Sequence, residues 1–382
     1  MEIFFACASV ALILSVLIDG YELMILPRRV GHSFRFARVF YRTSWRIWRT
    51  IAVWMPRGKS REAFLSWFGP LSLLLLLGGW ATGLIVGFGF LHWSLHIPLH
   101  VPTGEAVDLG IYLYMSGTTF FTLGFGDVTP LSHLGRILII FESGLGFAFL
   151  ASIIGYMPVL YQAFARCEAT ISLLDARAGS PPTAFQFLAR IAGSGNLEAL
   201  PRILIEWEHW AAEVLEAQLS HSVLSFYRSQ HDNQSWLAAL TAILDTCAIH
   251  LAAVKDDNTY QAQLTFAMAR HLAVDISMTL GMAPAGERPD RLSPEEKAKL
   301  WQALAQSGLV LPPEAAIADK LKELRGMYEP FVQALSDGLL FQLPGFRPEK
   351  PAVDNWQTSA WMRRTPGIGA LPLSARDDEH FD

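Results

Sequence analysis

A long uncharged run covers residues 63–104, and its densest apolar stretch, 64–91, exceeds the roughly 20 residues a helix needs to cross about 30 Å of hydrocarbon. A second run, 137–165, carries one charge, Glu142, and as a helix it crosses the bilayer and projects beyond it. A third, 3–26, is interrupted by Asp19 and Glu22. It has neither a basic leader region nor a small-residue cleavage site, so it reads as a retained span rather than a signal peptide. Between the spans at 63–104 and 137–165, residues 109–123 are too apolar for a loop and too short to cross, which predicts a short re-entrant helix. Farther along, 197–219, 235–254, 260–280, 294–306 and 313–326 read as helices, with Ser293-Pro294-Glu295-Glu296 as a capping box. Residues 236–254 are apolar enough for another span, but Asp245 and His250 interrupt them, so a buried helix of a soluble domain is expected. From about residue 343, prolines, glycines and charges predict a loosely structured tail. The pattern predicts an all-α membrane protein: three transmembrane helices, one re-entrant helix and an α-helical cytoplasmic domain. Its segments are 1–62, 63–165, 166–342 and 343–382.

Composition sharpens this division. Hydrophobic residues make up 52% and charged residues 17%, with a mean hydropathy of +0.29, whereas soluble domains average about 25% charged. Residues 1–165 hold 11 Lys/Arg against 8 Asp/Glu, and the remainder holds 19 against 27. A membrane part followed by an acidic soluble part fits, and a broadly basic nucleic-acid binder does not. Cys7, Cys167 and Cys247 are too scattered for a disulfide framework or a thiolate zinc site. Residues 27–61 contain Arg28, Arg29, Arg35, Arg38, Arg42, Arg46, Arg49, Arg57, Lys59 and Arg61 with no acidic residue, so the positive-inside rule makes that loop cytoplasmic. The expected location is the cell inner (cytoplasmic) membrane, multi-pass, with the N-terminus outside, residues 92–133 outside and the C-terminus cytoplasmic.

The re-entrant helix runs directly into Thr122-Leu123-Gly124-Phe125-Gly126-Asp127 and then Pro130. Thr119-x-x-Thr122-Leu-Gly-Phe-Gly-Asp resembles the pore loop of the potassium-channel superfamily, whose common form is T-x-x-T-V-G-Y-G-D, and the layout is that of bacterial single-pore subunits. A potassium ion in a narrow filter exchanges its water shell for rings of backbone carbonyls. Gly124 and Gly126 allow the φ values that let successive carbonyls face one axis. The resemblance, which covers roughly 64–164, implies K⁺ ligands at Thr122, Leu123, Gly124 and Phe125. It implies a homotetramer, because one loop per chain cannot enclose an ion. It also implies a gating hinge at Gly146 and a cavity lined by Phe147, Leu150 and Ile154. Leu123 and Phe125 depart from the usual Val and Tyr, and Phe125 lacks the phenol that would brace the filter.

Winding at about 100° per residue sets Glu142 about 110° off the expected cavity face, so it is assigned to the space behind the filter, with Tyr114 or Thr118 as donors. Arg35, Arg38, Arg42, Arg46 and Arg49 recur on one face of a basic amphipathic helix, which suggests contact with anionic lipid; a voltage sensor would need partner helices the chain does not supply. Asp19 and Glu22 are candidates to pair with Arg28 or Arg29. His92, His96 and His100 read as a polar turret, because Pro98 breaks the helix that would align them for metal or proton sensing. Glu206, His209, Glu213 and Glu216, with His271 and Asp275, have metal-compatible spacing, although a solvated acidic face is the expected reading. Gly193-Ser194-Gly195 lacks the strand and third glycine of a dinucleotide loop. The function expected is passive K⁺ conduction with no enzyme chemistry, no cofactor and an unknown cytoplasmic ligand. The alternative is a non-conducting or sensory membrane protein that retains the pore fold.

Overall fold

A computed structural model describes residues 1–25, 36–101, 107–195, 197–230, 234–253, 259–284, 288–309 and 311–348. Arg28, Arg29, Arg35 and nearly all of the expected tail lie outside the described residues. The chain forms two compact units, one of residues 1–55 with 67–162, the other of 56–66 with 163–382. The N-terminal segment and the pore helices, read above as successive parts, therefore share one unit.

In the first unit, α1 (Glu2–Met24) packs along α4 (Phe68–Ser94), with α2 (Phe36–Trp54) against the first half of α4. A short helix, α3 (Lys59–Ser66), precedes α4 but belongs to the second unit, so the outer helix starts later than its apolar run. The small-residue run of α4 lets α1 approach: a Cβ on Gly87 would lie 2.6 Å from Ile13, and one on Gly83 would lie 3.1 Å from Val16. The re-entrant helix is α5 (Leu109–Phe120), started by Asp108, whose carboxylate accepts from the Ile111 N–H at 3.0 Å. Two-residue strands at Leu99–His100 and Thr129–Pro130 pair antiparallel and close the segment around it. The inner helix, α6 (His133–Ala178), is 46 residues long and runs from the first unit into the second.

The second unit continues with α7 (Ala184–Gly193), α8 (Leu200–Ser220), α9 (Trp236–Ala253), α10 (Tyr260–Leu280), α11 (Pro294–Gln306), α12 (Glu314–Gly326) and α13 (Glu329–Leu339). Gly193-Ser194-Gly195 is the turn that ends α7, with Gly195 at φ +69°. The apolar pattern did not predict α7 and α13, each only three turns long.

Among the described residues, four helices are long and apolar enough to cross a membrane. Burial separates them: 17% of the α1 window and 11% of the α6 window are buried, against 83% for α9. α7, α10, α12 and α13 enclose α9, and its Asp245 is fully paired inside the bundle. α9 is the core helix of the second unit, and the lipid-compatible surfaces belong to α1, α4 and α6.

Candidate functional site: the pore loop

α5 ends by tightening. The Phe121 N–H donates to Gly117 O at 3.1 Å and the Thr122 N–H to Thr119 O at 3.0 Å. The chain then turns out of the helix, and Thr118 O accepts from the N–H groups of Leu123 at 2.8 Å and Gly124 at 3.4 Å. Beyond this point φ alternates in sign: +56° at Thr122, +56° at Gly124 and +78° at Gly126, with negative values at Leu123 and Phe125. Alternation of this kind is the backbone condition for successive carbonyls to share one side. Glycine adopts it freely, whereas a β-branched residue such as Thr122 holds a positive φ only where its surroundings impose it. Residues 121–126 are exposed in the single chain, including Leu123 and Phe125.

The segment after this loop is tied back to α5. Tyr114 donates from its hydroxyl to Asp127 Oδ2 at 2.7 Å, which supplies from the neighbouring helix a phenol that Phe125 lacks. Tyr112 donates to Ile97 O at 2.8 Å, the Leu131 N–H donates to Pro98 O at 2.9 Å, and Arg136 Nε reaches Pro130 O at 3.4 Å. These bonds fasten the segment after the loop to the end of α4 and the start of α6.

Behind α5, Glu142 is fully buried, and its partners differ from those expected. Ser116 of α5 bonds Glu142 Oε1, and His92 of α4 lies with Nε2 at 3.4 Å from Glu142 Oε2. Tyr114 and Ser116 project about 200° apart on α5, so the phenol faces Asp127 while the serine faces the inner helix. Thr118 instead turns its hydroxyl to Met115 O at 3.0 Å. His92 is correspondingly not a turret residue: α4 continues to Ser94, one turn farther than a polar turret allows, and buries the imidazole completely. His96 and His100 lie beyond the helix, so the three histidines do not align. One signal was available in the sequence: an ionisable side chain inside a span seeks a polar partner, and His92 and Glu142 are isolated polar groups in two apolar runs.

On α6, a Cβ at Gly146 would lie 1.9 Å from Phe120 O, so the inner helix meets the end of α5 backbone to backbone there. Phe147, Leu150 and Ile154 share one face of α6 within about 60° and are exposed in the single chain. Asp19 is buried and accepts from Trp80 Nε1 at 2.9 Å and the Ala37 N–H at 3.0 Å, joining α1, α4 and the start of α2, while the expected pairing of Asp19 and Glu22 with Arg28 or Arg29 falls on residues outside those described. The acidic-histidine set does not assemble. Glu206 pairs with Arg177 at 2.8 Å and His271 with Asp275 at 3.4 Å, and among the described residues no group of three His, Cys, Asp or Glu converges for a metal.

A capped re-entrant helix, a loop of alternating φ and two flanking spans together define a pore-loop membrane channel domain. The comparison with protein families agrees: residues 75–162 match a family described as "Ion channel", a match that begins in α4, contains α5 and the loop, and ends in α6. No curated protein and no solved structure matches the chain. Residues 75–162 thus carry an ion-channel domain, set among apolar helices that make the chain a multi-pass membrane protein.

Proposed function

We propose that the chain is the subunit of a homotetrameric, potassium-selective channel that conducts K⁺ passively. The observation that carries this reading is the alternating φ of the Thr122-Leu123-Gly124-Phe125-Gly126 loop at the end of a helix held between two spans. In the tetramer, carbonyls of Thr122, Leu123, Gly124 and Phe125, with the Thr122 hydroxyl, replace the water shell of K⁺ ring by ring. Asp127 lies just beyond the filter, fixed by Tyr114. Phe147, Leu150 and Ile154 face the cavity, and Gly146 is the point where the inner helix bends. The basic 27–61 segment keeps the N-terminus outside and the second unit in the cytoplasm. No enzymatic step is assigned.

Flux from purified protein in liposomes tests the reading. K⁺ efflux should far exceed Na⁺ efflux, because rings of carbonyls replace the hydration shell of K⁺ in preference to that of Na⁺. Gly124→Ala and Gly126→Ala should abolish it while the protein still inserts, because a Cβ resists the φ those positions hold. Mass measurement in detergent should give four chains. Equal K⁺ and Na⁺ flux would overturn selectivity, and absence of flux from a correctly inserted tetramer would favour the non-conducting, sensory alternative.

A further inference from the structure

We propose that α2 carries a binding surface for the phosphate headgroups of anionic phospholipid in one leaflet, formed by Arg38, Arg42 and Arg46. Three observations converge on it. The first is depth. The start of α2 is fixed beside Asp19 of α1 and Trp80 of α4, because Asp19 accepts from both the Ala37 N–H and Trp80 Nε1. By Trp45, α2 has reached Phe68 at the start of α4, with ring centroids 4.8 Å apart. Trp80 and Phe68 lie about 18 Å apart along α4 at 1.5 Å per residue, so the first turns of α2 run beside the apolar first half of a spanning helix. This helix therefore enters the depth of a leaflet rather than standing clear of it.

The second observation is the division of α2 into stripes. Winding at about 100° per residue gathers the buried Ala37, Tyr41, Trp45 and Ala52 within about 80°, facing α4. The arginines follow on the next side, about 100° round the helix. A third stripe, Phe36, Ile47, Ile51 and Trp54, is exposed and apolar.

The third is charge. α2 contains no acidic residue, Arg38, Arg42 and Arg46 are exposed, and among the described residues no carboxylate pairs with any of them. An arginine held at the depth of a leaflet without an anion is costly, and its long stem lets the guanidinium reach the headgroup layer, where phosphate accepts two of its N–H groups at once. A soluble polyanion would satisfy the arginines and leave the exposed apolar stripe in water. A leaflet offers phosphate and hydrocarbon within a few ångströms of each other, and so satisfies both.

The test uses the full chain in detergent, titrated with phosphatidylglycerol or phosphatidylcholine and read by native mass spectrometry of retained lipid, which does not depend on conduction. Wild type should retain phosphatidylglycerol in preference. Arg38→Gln, Arg42→Gln and Arg46→Gln should each lower that retention roughly fivefold, leave phosphatidylcholine unchanged and combine nearly additively. The single Arg42→Gln variant carries the test if the triple variant fails to fold. Undiminished phosphatidylglycerol retention in folded variants would overturn the proposal. So would equal displacement of the lipid by soluble inorganic phosphate, or a change in oligomer mass with no change in lipid, which would make the stripe a contact between subunits.

Discussion

The chain buries carboxylates in both of its units and satisfies them by different means. In the second unit, Asp245 of α9 accepts from Arg291 at 2.9 and 3.1 Å and from the Tyr328 hydroxyl. Arg291 also reaches Glu329 at 2.6 and 2.9 Å and Pro344 O at 2.7 Å. Arg325 joins Asp290 to Glu329, and both guanidiniums lie over the Phe346 ring. In the first unit, Glu142 has only a serine hydroxyl and an imidazole. A bundle in water can present charged partners that fold in together, whereas a spanning helix that carried a guanidinium would bring a second charge into hydrocarbon. The contrast shows that the solvent outside a unit selects the partner inside it.

The sharpest way to break the contrast is Arg291→Leu, which leaves Asp245 in the core with only the Tyr328 hydroxyl among the described residues and Glu329 with Arg325 and Gln333. Removing one partner of a buried ion pair costs about 3–5 kcal/mol. Chemical denaturation of the full chain should show that loss in the transition of the second unit, with the first unit's transition unmoved. A loss under about 1 kcal/mol would mean that water reaches the network.

Acid should distinguish the units next. Burial works against the Glu329 charge, but Arg291 and Arg325 outweigh it and hold Glu329 below its ordinary value of 4.5. Asp290 is likewise lowered, its burial outweighed by bonds to Arg325 and the Leu292 N–H. A carboxylate lowered in the folded state stabilises the fold above its unfolded pKa, and that stability is lost as pH falls through the folded value. The second unit should therefore weaken progressively below about pH 4.5. Asp245, raised chiefly by burial against the pull of Arg291, offsets part of that loss. Melting temperatures over a pH series give the sign directly, and a second unit that grows more stable on acidification would refute it.

The smallest effects belong to the polar cluster behind the pore loop. Glu142→Ala leaves a gap and strands His92, while Ser116 keeps Ile85 O at 2.8 Å, at about 1–3 kcal/mol, and Glu142→Gln keeps shape and one hydrogen bond and should cost less than about 1 kcal/mol. Both should shorten channel open times without altering unitary conductance in single-channel recording, alanine more than glutamine. His92→Leu should resemble Glu142→Gln and add little to it, because the two residues act on each other. Conductance that falls with the lost charge at unchanged open times would move Glu142 to the cavity.

Residues close in sequence were the legible ones. The spans at 63–104 and 137–165, the re-entrant helix and the loop after it follow from runs of apolar residues and one motif. The helix Tyr260–Leu280 and the cap at Ser293 were likewise readable from local pattern. His92, Ser116 and Glu142 lie on three helices and meet only when these pack, so pattern alone led to Tyr114 and Thr118 as donors on the correct helix but its wrong faces. Asp245, Arg291 and Glu329 are similarly far apart in sequence, and the helix carrying Glu329 is too short for periodicity to expose it.

The amino-acid order by itself determined that apolar helices cross a membrane, that a glycine-alternating loop sits between two of them, and where the charge imbalance lies, because hydrophobic transfer, backbone sterics and net charge act on contiguous residues. Tertiary structure alone decided which polar groups satisfy one another and that α2 begins beside Trp80 within the apolar half of α4, whereas Asp245 and His250 had already marked α9 as a buried helix rather than a fourth span. Those outcomes depend on distances between helices, and a buried polar atom takes whichever partner packing brings within about 3 Å.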